Sequence, residues 1–317
     1  MPDRSPKLML LDTASLYFRA FYGVPDSITA PDGTPVNAVR GLLDFISRLV
    51  EEYQPTHLAC CWDNDWRPQW RVDLIASYKA HRVEYVVAGA PDVEEVPDPL
   101  EAQIPVIVDV LDAFGIAIVG ADGYEADDVI GTLATGAGMP VEIVTGDRDL
   151  FQLVDDPGQV RVLYTARGVG RHERVTNDVV RAKYGVDAHQ YADFATLRGD
   201  SSDGLPGVAG VGEKTAATLL ARFGSVAVLR EAALDPEADL APGPRRKILD
   251  AADYLAVAPK VVAVARDLDL GDPDLRLPRT PADPESLKVL AEQWGLSSPI
   301  ARLVETLTDL TTAGVGQ

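Results

Sequence analysis

Three carboxylates fall within four consecutive positions of the chain, Glu125, Asp127 and Asp128, ahead of an apolar helical pattern. Acidic residues are favoured in the first turn of a helix, where unpaired N–H groups and the macrodipole attract negative charge. Glu125 and Asp128 are also i, i+3 neighbours, and like charges at that spacing repel each other unless a cation lies between them. By itself, the cluster is compatible with a solvated helix start and with a divalent-metal site.

Other acids follow apolar segments that are typical of buried strands, or form a pair three residues apart. They are Asp12, Asp63, Asp147, Asp149, Asp200 and Asp203. The alternation of these segments with helical patterns predicts an α/β protein with a parallel sheet. Ligands bind outside the carboxyl ends of such strands, so we expect most of these acids to face one crevice.

So many ionised carboxylates share a site only if cations offset their charge. Oxygen ligands without sulfur or imidazole select Mg²⁺ or Mn²⁺. The four histidines are scattered without zinc spacing, and Cys60 and Cys61 suit a buried apolar run. A pair of hard ions roughly 4 Å apart is the usual arrangement for in-line attack on a phosphodiester, which makes phosphodiester hydrolysis the predicted chemistry.

An aromatic and basic segment covers residues 66–82, and its last part predicts a helix over 74–82. That helix would place Lys79 and Arg82 on one face, three residues apart. A solvated helix face is the alternative interpretation. Residues 86–105 are rich in proline and acid and predict a long loop between strands, which is typical of a lid or binding loop.

Glycines bracket a tight hairpin between two predicted helices in the segment from Gly207 to Thr215. Gly210 and Gly212 allow the backbone to approach a phosphate closely, and Lys214 lies in the first turn of the second helix. Hairpins of this kind bind phosphates through backbone N–H groups without reading bases. A helix–turn–helix connection with glycines for packing is the alternative.

Composition bounds the remaining possibilities. The chain has 317 residues, 46% of them hydrophobic, which is enough for a large core. No apolar run is long enough for a signal peptide or a membrane span, so we expect a cytoplasmic protein that does not bind membranes. The formal charge of −20 argues against a nucleic-acid partner, but local clusters of arginine and lysine leave basic patches open.

Together these residues resemble the 5′-nuclease superfamily, which includes bacterial flap endonucleases and the N-terminal 5′-to-3′ exonuclease domain of DNA polymerase I. The resemblance extends over nearly the whole chain. The matching motifs are Asp12 with Phe18-Arg19, Asp63, Arg71 with Tyr78-Lys79 and Arg82, Tyr124-Glu125-Ala126-Asp127-Asp128, Thr145-Gly146-Asp147-Arg148-Asp149-Leu150, and Leu197-Arg198-Gly199-Asp200-Ser201-Ser202-Asp203. No polymerase domain follows, so we expect a free-standing enzyme.

The resemblance implies a particular architecture. A parallel-sheet, PIN-like nuclease domain over residues 1–190 carries a helical arch at about 66–105. A helical helix-three-turn-helix (helix-hairpin-helix) region over 191–310 grips duplex DNA, and a disordered tail occupies 311–317.

It also implies roles for individual residues. One metal is held by matches of Asp12, Asp63, Glu125 and Asp127, and the second by matches of Asp147, Asp149, Asp200 and Asp203. Asp128 is expected to act through water, and Lys79 and Arg82 to assist catalysis from the arch. The DNA-binding positions are Phe18, Arg19, Arg71, Tyr78, Gly207, Gly210, Gly212, Lys214 and Thr215. The backbone carbonyls of Val208 and Val211 are expected to bind a potassium ion.

Three features depart from the family pattern. Phe18 stands where tyrosine is common, which keeps a stacking face but removes the hydroxyl. Gly204 follows Asp203 where asparagine is usual, and residues 86–99 are unusually acidic for an arch. These departures bear on arch dynamics and substrate preference more than on catalysis.

The implied function is a monomeric, metal-dependent nuclease that acts on DNA with 5′ ends or flaps, at duplex and single-strand junctions, in replication or repair. A PIN-type ribonuclease is the competing enzyme, although it lacks the hairpin and the long arch. A non-catalytic DNA-binding scaffold is the competing binding protein. The sequence leaves open the choice among flap, gap and plain exonucleolytic cleavage, and between magnesium and manganese.

Overall fold

The computed structural model describes residues 5–86 and 92–312. Its strands are β1 (Leu8–Asp12), β2 (His57–Trp62), β3 (Val83–Tyr85), β4 (Val93–Glu94), β5 (Ala117–Gly120), β6 (Val141–Thr145), β7 (Val160–Tyr164) and β8 (Glu173–Val175). Its α-helices are α1 (Thr13–Gly23), α2 (Asn37–Tyr53), α3 (Gln69–Leu74), α4 (Asp98–Glu101), α5 (Ile104–Phe114), α6 (Ala126–Gly136), α7 (Asn177–Tyr184), α8 (Tyr191–Arg198), α9 (Glu213–Phe223), α10 (Val226–Leu234), α11 (Pro242–Asp250), α12 (Ala252–Val262), α13 (Pro284–Trp294) and α14 (Ser297–Thr312).

Six of these strands form one sheet in the order β5-β2-β1-β6-β7-β8. All neighbouring pairs are parallel except β7 and β8. The central strand β1 is buried along its whole length, as its continuous apolar sequence predicts for a parallel strand covered on both faces. Because β1, β2 and β6 run in the same direction, their carboxyl ends meet at one edge of the sheet, which confirms the predicted α/β fold with a parallel sheet.

Two hydrophobic cores cover the two faces of the sheet. Leu8 and Leu10 of β1 belong to the core that contains α6, whereas Met9 and Leu11 belong to the core that contains α2 and α5. This alternation follows from the two-residue period of a strand.

The C-terminal helices divide between two places. Helices α8 and α9 flank the glycine-rich hairpin, while α13 packs against α5 and α14 against α2. Leu303 and Leu307 of α14 are fully buried in the same core as Met9 and Leu11 of the central strand. The helices predicted as one region over 191–310 therefore pack in two places. The last two, α13 and α14, pack against helices of the nuclease core.

The base of the arch differs from the predicted helix over 74–82. Helix α3 ends at Leu74, Lys79 adopts a left-handed conformation with φ of 48°, and Ala80–Arg82 form a single 3₁₀ turn before the antiparallel pair β3 and β4. The physical reason is a tertiary contact, since the Lys79 N–H donates to the Asp203 carbonyl at 3.0 Å. Residues 87–91 of the arch lie outside the described residues.

Gly204 has a structural role in this contact. Its φ is 69°, and an added Cβ would lie 2.0 Å from the Ser77 carbonyl oxygen. The Ser77 hydroxyl donates in turn to the Gly204 carbonyl at 2.7 Å. A side chain at position 204 would therefore push the arch base away, which gives the departure from asparagine a physical reason.

Two predictions concern the ends and surface of the chain. Within the predicted tail over 311–317, the first two residues end α14 and the remainder lies outside the described residues. Among residues 5–86 and 92–312, no helix has both the length and the apolar character that a membrane span requires.

Candidate active site

Asp12 and Asp63 are fixed where two parallel strands end. Asp12 is the last residue of β1 and caps α1, with its carboxylate accepting hydrogen bonds from the Ser15 N–H at 3.2 Å and from the Thr145 hydroxyl at 2.6 Å. Asp63 directly follows β2 and accepts from the Ala126 N–H at 2.8 Å. Asp63 is thereby held at the start of α6, next to the acidic cluster.

A cation does separate Glu125 from Asp128, and it is a side chain. The Arg71 guanidinium donates to Glu125 at 2.9 Å and to both oxygens of Asp128 at 2.8 Å each. Asp128 also accepts from the backbone N–H groups of Glu125 at 3.2 Å and Ala265 at 2.8 Å, and its exposed fraction is 0%. The Asp128 carboxylate is therefore a buried helix cap and ion-pair partner, and the predicted metal role for Asp128 does not fit the structure.

Arg71 and Tyr78 are likewise unsuited to the predicted DNA contacts. Arg71 is 2% exposed and Tyr78 is 4% exposed. The Tyr78 hydroxyl donates to Glu125 at 2.7 Å, on the same oxygen that Arg71 contacts. Both side chains hold the Glu125 carboxylate in place, and neither is exposed enough to contact a nucleic acid.

Lys79 and Arg82 each contact a carboxylate of the predicted metal sites. The Lys79 ammonium forms an ion pair with Glu125 and donates to the Trp66 carbonyl at 3.3 Å. The Arg82 guanidinium donates to Asp203 at 3.1 Å and to the Ser202 carbonyl at 2.8 Å. Lys79 and Arg82 therefore do reach the acids, as predicted. A tight turn places them there, and not the shared helix face that the sequence predicted.

These groups surround a cavity of about 240 Å³. Its charged lining residues are Asp12, Asp63, Lys79, Arg82, Glu94, Glu125, Asp127 and Asp147. Phe18 and Trp66 contribute aromatic surface to the same wall. A cavity lined by several carboxylates and two cations suits divalent ions together with a phosphate.

The second group of predicted ligands continues from this cavity. Asp147 accepts from the Asp149 N–H at 2.8 Å, and one carboxylate oxygen of Asp149 is buried without a hydrogen-bond partner among the described residues. Asp200 is held by Arg198 at 2.9 Å, with Arg148 at 3.9 Å. Sequence reasoning missed these two arginines as site residues, although both lie inside the matched motifs.

Burial and neighbouring acids shift the pKa values of several carboxyl groups in the site. Burial raises the pKa of Asp12 to about 7, with Asp63 and Asp147 adding to the effect, and burial raises the pKa of Asp203 to about 6. Burial and neighbouring carboxylates also raise the pKa of Asp127 and Asp149 well above the usual range. Glu125 is the exception, because Lys79 and Arg71 outweigh the cost of burial and lower its pKa.

The donor set fits hard divalent ions. Among the described residues, no three carboxylate, imidazole or thiol groups are close enough together to coordinate one metal ion. Ionised carboxylates repel one another, so they are expected to stand apart until a cation joins them. In the part of the chain that the structure describes, one oxygen of Asp149 is buried without a partner, which fits a carboxylate that can accept a cation.

Beside the cavity, Phe18 packs against Tyr17 with ring centroids 5.3 Å apart. The Arg19 guanidinium lies next to Gly146 and donates to the Ala166 carbonyl at 3.4 Å. Both side chains are only half-buried, so part of each is accessible to solvent.

The hairpin before α9 combines two glycines of positive φ, Gly207 and Gly210, with Gly212, whose φ is negative. Gly207 has a φ of 67°, and an added Cβ would lie 2.5 Å from the Arg198 carbonyl oxygen. Gly210 and Gly212 are exposed, and an added Cβ at Gly212 would meet no atom within 4 Å. Gly212 thus leaves open space in front of the helix start, where the predicted phosphate contact would lie.

The first turn of α9 and the neighbouring α11 bring lysines to this hairpin. Lys214 is exposed and Thr215 is half-buried. The Val208 carbonyl accepts from the Val211 N–H at 2.9 Å, and both side chains are buried. Lys247 of α11 donates to the Gly210 carbonyl at 2.7 Å, a contact that sequence reasoning did not anticipate because the two residues are distant in the chain.

Glu94 is a further residue that sequence reasoning missed. It lies on β4 in the arch and lines the acidic cavity. Burial raises its pKa, while Arg82 and Lys79 act in the opposite direction. The acidity of residues 86–99 was the only sequence signal, and it did not distinguish Glu94 from its neighbours.

Comparison with known proteins agrees with this geometry. A family model described as 5′-3′ exonuclease, N-terminal resolvase-like domain, matches residues 7–185, and one described as 5′-3′ exonuclease, C-terminal SAM fold, matches residues 186–285. A 5′-3′ exonuclease of Streptomyces coelicolor is 62% identical over 300 residues, covering 95% of this chain and 100% of the relative. A 5′-3′ exonuclease of Mycobacterium tuberculosis is 55% identical over 316 residues, covering 97% and 99%.

Among solved structures, the T5 5′-exonuclease with bound divalent zinc ions shares the fold, with a TM-score of 0.60, 16% identity, and coverage of 96% of this chain and 99% of that chain. The resemblance predicted from the motifs is therefore confirmed, together with the resolvase-like nuclease domain and the helical C-terminal domain. From the acids at the strand ends to the glycine-rich hairpin, this chain belongs to the family of 5′-3′ exonucleases.

Proposed function

We propose that this protein is a structure-specific 5′-to-3′ exonuclease and 5′-flap endonuclease that hydrolyses DNA phosphodiesters with two divalent ions. The observation that carries the proposal is the cavity in which carboxylates from the ends of β1, β2 and β6 and the start of α6 face Lys79 and Arg82. Hydrolysis of a phosphodiester needs this combination, because divalent ions must be held beside an attacked phosphate whose developing charge is stabilised.

The ions would be Mg²⁺ or Mn²⁺, since the donor set contains oxygen alone. Asp12, Asp63, Glu125 and Asp127 would hold one ion, and Asp147, Asp149, Asp200 and Asp203 the other. When bound, such ions activate a water molecule and stabilise the charge of the attacked phosphate. Asp128 is left out of both sets because Arg71 and two backbone N–H groups occupy its oxygens. Glu125 is also engaged, by Arg71 and Tyr78 on one oxygen and by Lys79 on the other, so it would bind the ion through the oxygen that Lys79 leaves when it turns to the phosphate.

Lys79 and Arg82 would bind the scissile phosphate. Their present partners are Glu125 and Asp203, so an incoming phosphate competes with these carboxylates for the ammonium and the guanidinium. Once in contact, the two cations stabilise the negative charge that develops on the non-bridging oxygens. Phe18 offers a stacking face for a nucleotide, and Arg19 a charge for an adjacent phosphate.

Duplex DNA would bind at the hairpin, where Lys214 and the N–H groups around Gly210 and Gly212 meet the backbone of any sequence. A potassium ion at the carbonyls of Val208 and Val211 would add positive charge there, since the Val208 oxygen keeps one lone pair beside its bond to Val211. The substrate would then be DNA with 5′ ends or flaps at a junction, bound by a monomer during replication or repair.

The test is incubation with a 5′-flap DNA and with an RNA of the same length and sequence, in magnesium or in chelator, followed by sizing of the products. We expect cleavage of the DNA near the junction in magnesium alone. Equal cleavage of the RNA would favour a PIN-type ribonuclease. Binding of the DNA without cleavage, in magnesium and in manganese, would favour a scaffold.

A further inference from the structure

Glu94 places a carboxylate from the arch against the catalytic basin. It lines the cavity together with Lys79, Arg82, Trp66, Asp12 and Asp63. The cavity's other acids come from the strand ends and from the start of α6, so Glu94 is the acid that the arch adds to the lining, beside its two cations.

The position of Glu94 is built into the fold. Val83 and Glu94 are paired in the short antiparallel ribbon, and the Glu95 N–H donates to the Arg82 carbonyl at 2.8 Å. Before the strand, the Asp92 carbonyl accepts from the Trp66 indole at 2.7 Å. Asp92 also forms an ion pair with the buried Arg67. The arch strand is thus held on both sides of Glu94 by contacts with residues 66–83 of the same arch segment.

The negative charge of Glu94 is not used in an ion pair among the described residues. Within residues 5–86 and 92–312, the Glu94 carboxylate has neither a hydrogen bond nor an ion pair within 4 Å, although Arg82 and Lys79 attract it and Asp63 and Glu125 repel it. It is half-buried, so its charge is only partly screened by solvent. A phosphate in the cavity would meet this charge directly.

Hydrolysis changes the charge of that phosphate. Water forms a new P–O bond, one P–O ester bond breaks, and the leaving oxygen takes up a proton. The phosphodiester carried about one negative charge, whereas the terminal monoester carries about 1.5 to 2 at neutral pH. A fixed carboxylate beside the phosphate therefore repels the product more strongly than the substrate.

Resting on the proposed function, we propose that Glu94 is a specificity-determining residue that discriminates against the terminal phosphate of the product and so speeds its release. Glu94 neither binds the metal ions nor contacts the leaving group. Its effect is a repulsion that grows when the ester bond has been cut, and it competes with the attraction that Lys79 and Arg82 exert on the same phosphate.

The test compares Glu94→Gln with Glu95→Gln, which removes the same charge from the adjacent, exposed position. Short oligodeoxynucleotides with hydrolysis-resistant phosphorothioate linkages, carrying a phosphate at the 5′ end, at the 3′ end or at neither, are titrated in magnesium by fluorescence anisotropy. We expect Glu94→Gln to increase the preference for a terminal phosphate by about two- to fivefold, the range of a partly screened pair of charges. Glu95→Gln should keep the wild-type preference.

A kinetic arm uses 5′-flap DNA. In Glu94→Gln the steady-state turnover should fall by a larger factor than the first-turnover rate changes, and added product should inhibit more strongly. An unchanged preference for terminal phosphate, or a loss of the first turnover, would overturn the inference. Failure of the wild type to cut DNA would count against the proposed function, whereas the binding arm, which does not depend on cleavage, would still show whether Glu94 discriminates against a terminal phosphate.

Discussion

Arg71 holds Asp128 through two hydrogen bonds of 2.8 Å each, in a part of the site that solvent does not reach. The guanidinium reaches Glu125 from the same side and donates from Nε to the Val261 carbonyl at 3.1 Å. One side chain therefore connects the start of α6 to the end of α12. It also satisfies the requirement for a cation between two like charges three residues apart.

This relationship predicts that Arg71→Ala destabilises the fold. Removing one partner of a buried ion pair leaves the other charge uncompensated, which typically costs roughly 3–5 kcal/mol. Urea unfolding monitored by circular dichroism measures the change. Arg246→Ala is the control, because its ion pair with Asp250 is exposed and its loss should hardly shift the midpoint. Weaker DNA binding by Arg71→Ala with unchanged stability would instead restore Arg71 as a DNA contact.

The acids at the strand ends were predictable because they depend on local sequence. Buried parallel strands appear as apolar runs, and the residue after such a run must lie at the carboxyl edge, as Asp12 and Asp63 do. The conformation of Lys79 was not predictable, because it depends on a contact with Asp203, which is far away in the chain. The position of α14 was not predictable either, because helical periodicity shows that α14 has an apolar face but not that this face packs on α2.

The buried, unpartnered oxygen of Asp149 leads to a second prediction. Asp149→Asn should abolish cleavage of 5′-flap DNA while duplex binding survives, since binding is assigned to the hairpin. The variant should also gain less thermal stability from added magnesium than the wild type does, because one ligand for the ion is lost. Cleavage assays, gel shifts and melting curves with and without magnesium measure these effects. Near wild-type cleavage in magnesium would remove Asp149 from the metal ligands.

Lys79 and Arg82 are the subject of a third prediction. Alanine at either position should lower the single-turnover rate by about 10²-fold or more, because a preorganised group that stabilises transition-state charge is lost. Affinity for the flap substrate should change much less, since both cations are already engaged by Glu125 and Asp203 in the free protein. Rapid-quench kinetics at saturating enzyme separates the two effects. If the single-turnover rates are unchanged and only binding weakens, both residues attract the DNA electrostatically and do not take part in catalysis.

The hairpin gives the last prediction, and two of its glycines provide a matched comparison. At Gly212 an added Cβ meets nothing within 4 Å, so Gly212→Val should fold normally and lose affinity only where a phosphate has to approach. At Gly207 the φ of 67° and the close Arg198 carbonyl make the same substitution destabilising. Melting curves distinguish the two variants before any DNA is added.

Binding then tests the role of the hairpin. Gly212→Val should weaken binding to duplex-bearing DNA of any sequence, and Lys214→Ala should reduce the slope of log affinity against log salt by about one unit. A short single strand that the wild type cuts slowly should be cut equally well by both variants, because it reaches the acids without touching the hairpin. A loss restricted to particular base sequences, or an equal loss on the single strand, would contradict a duplex clamp that recognises only the backbone.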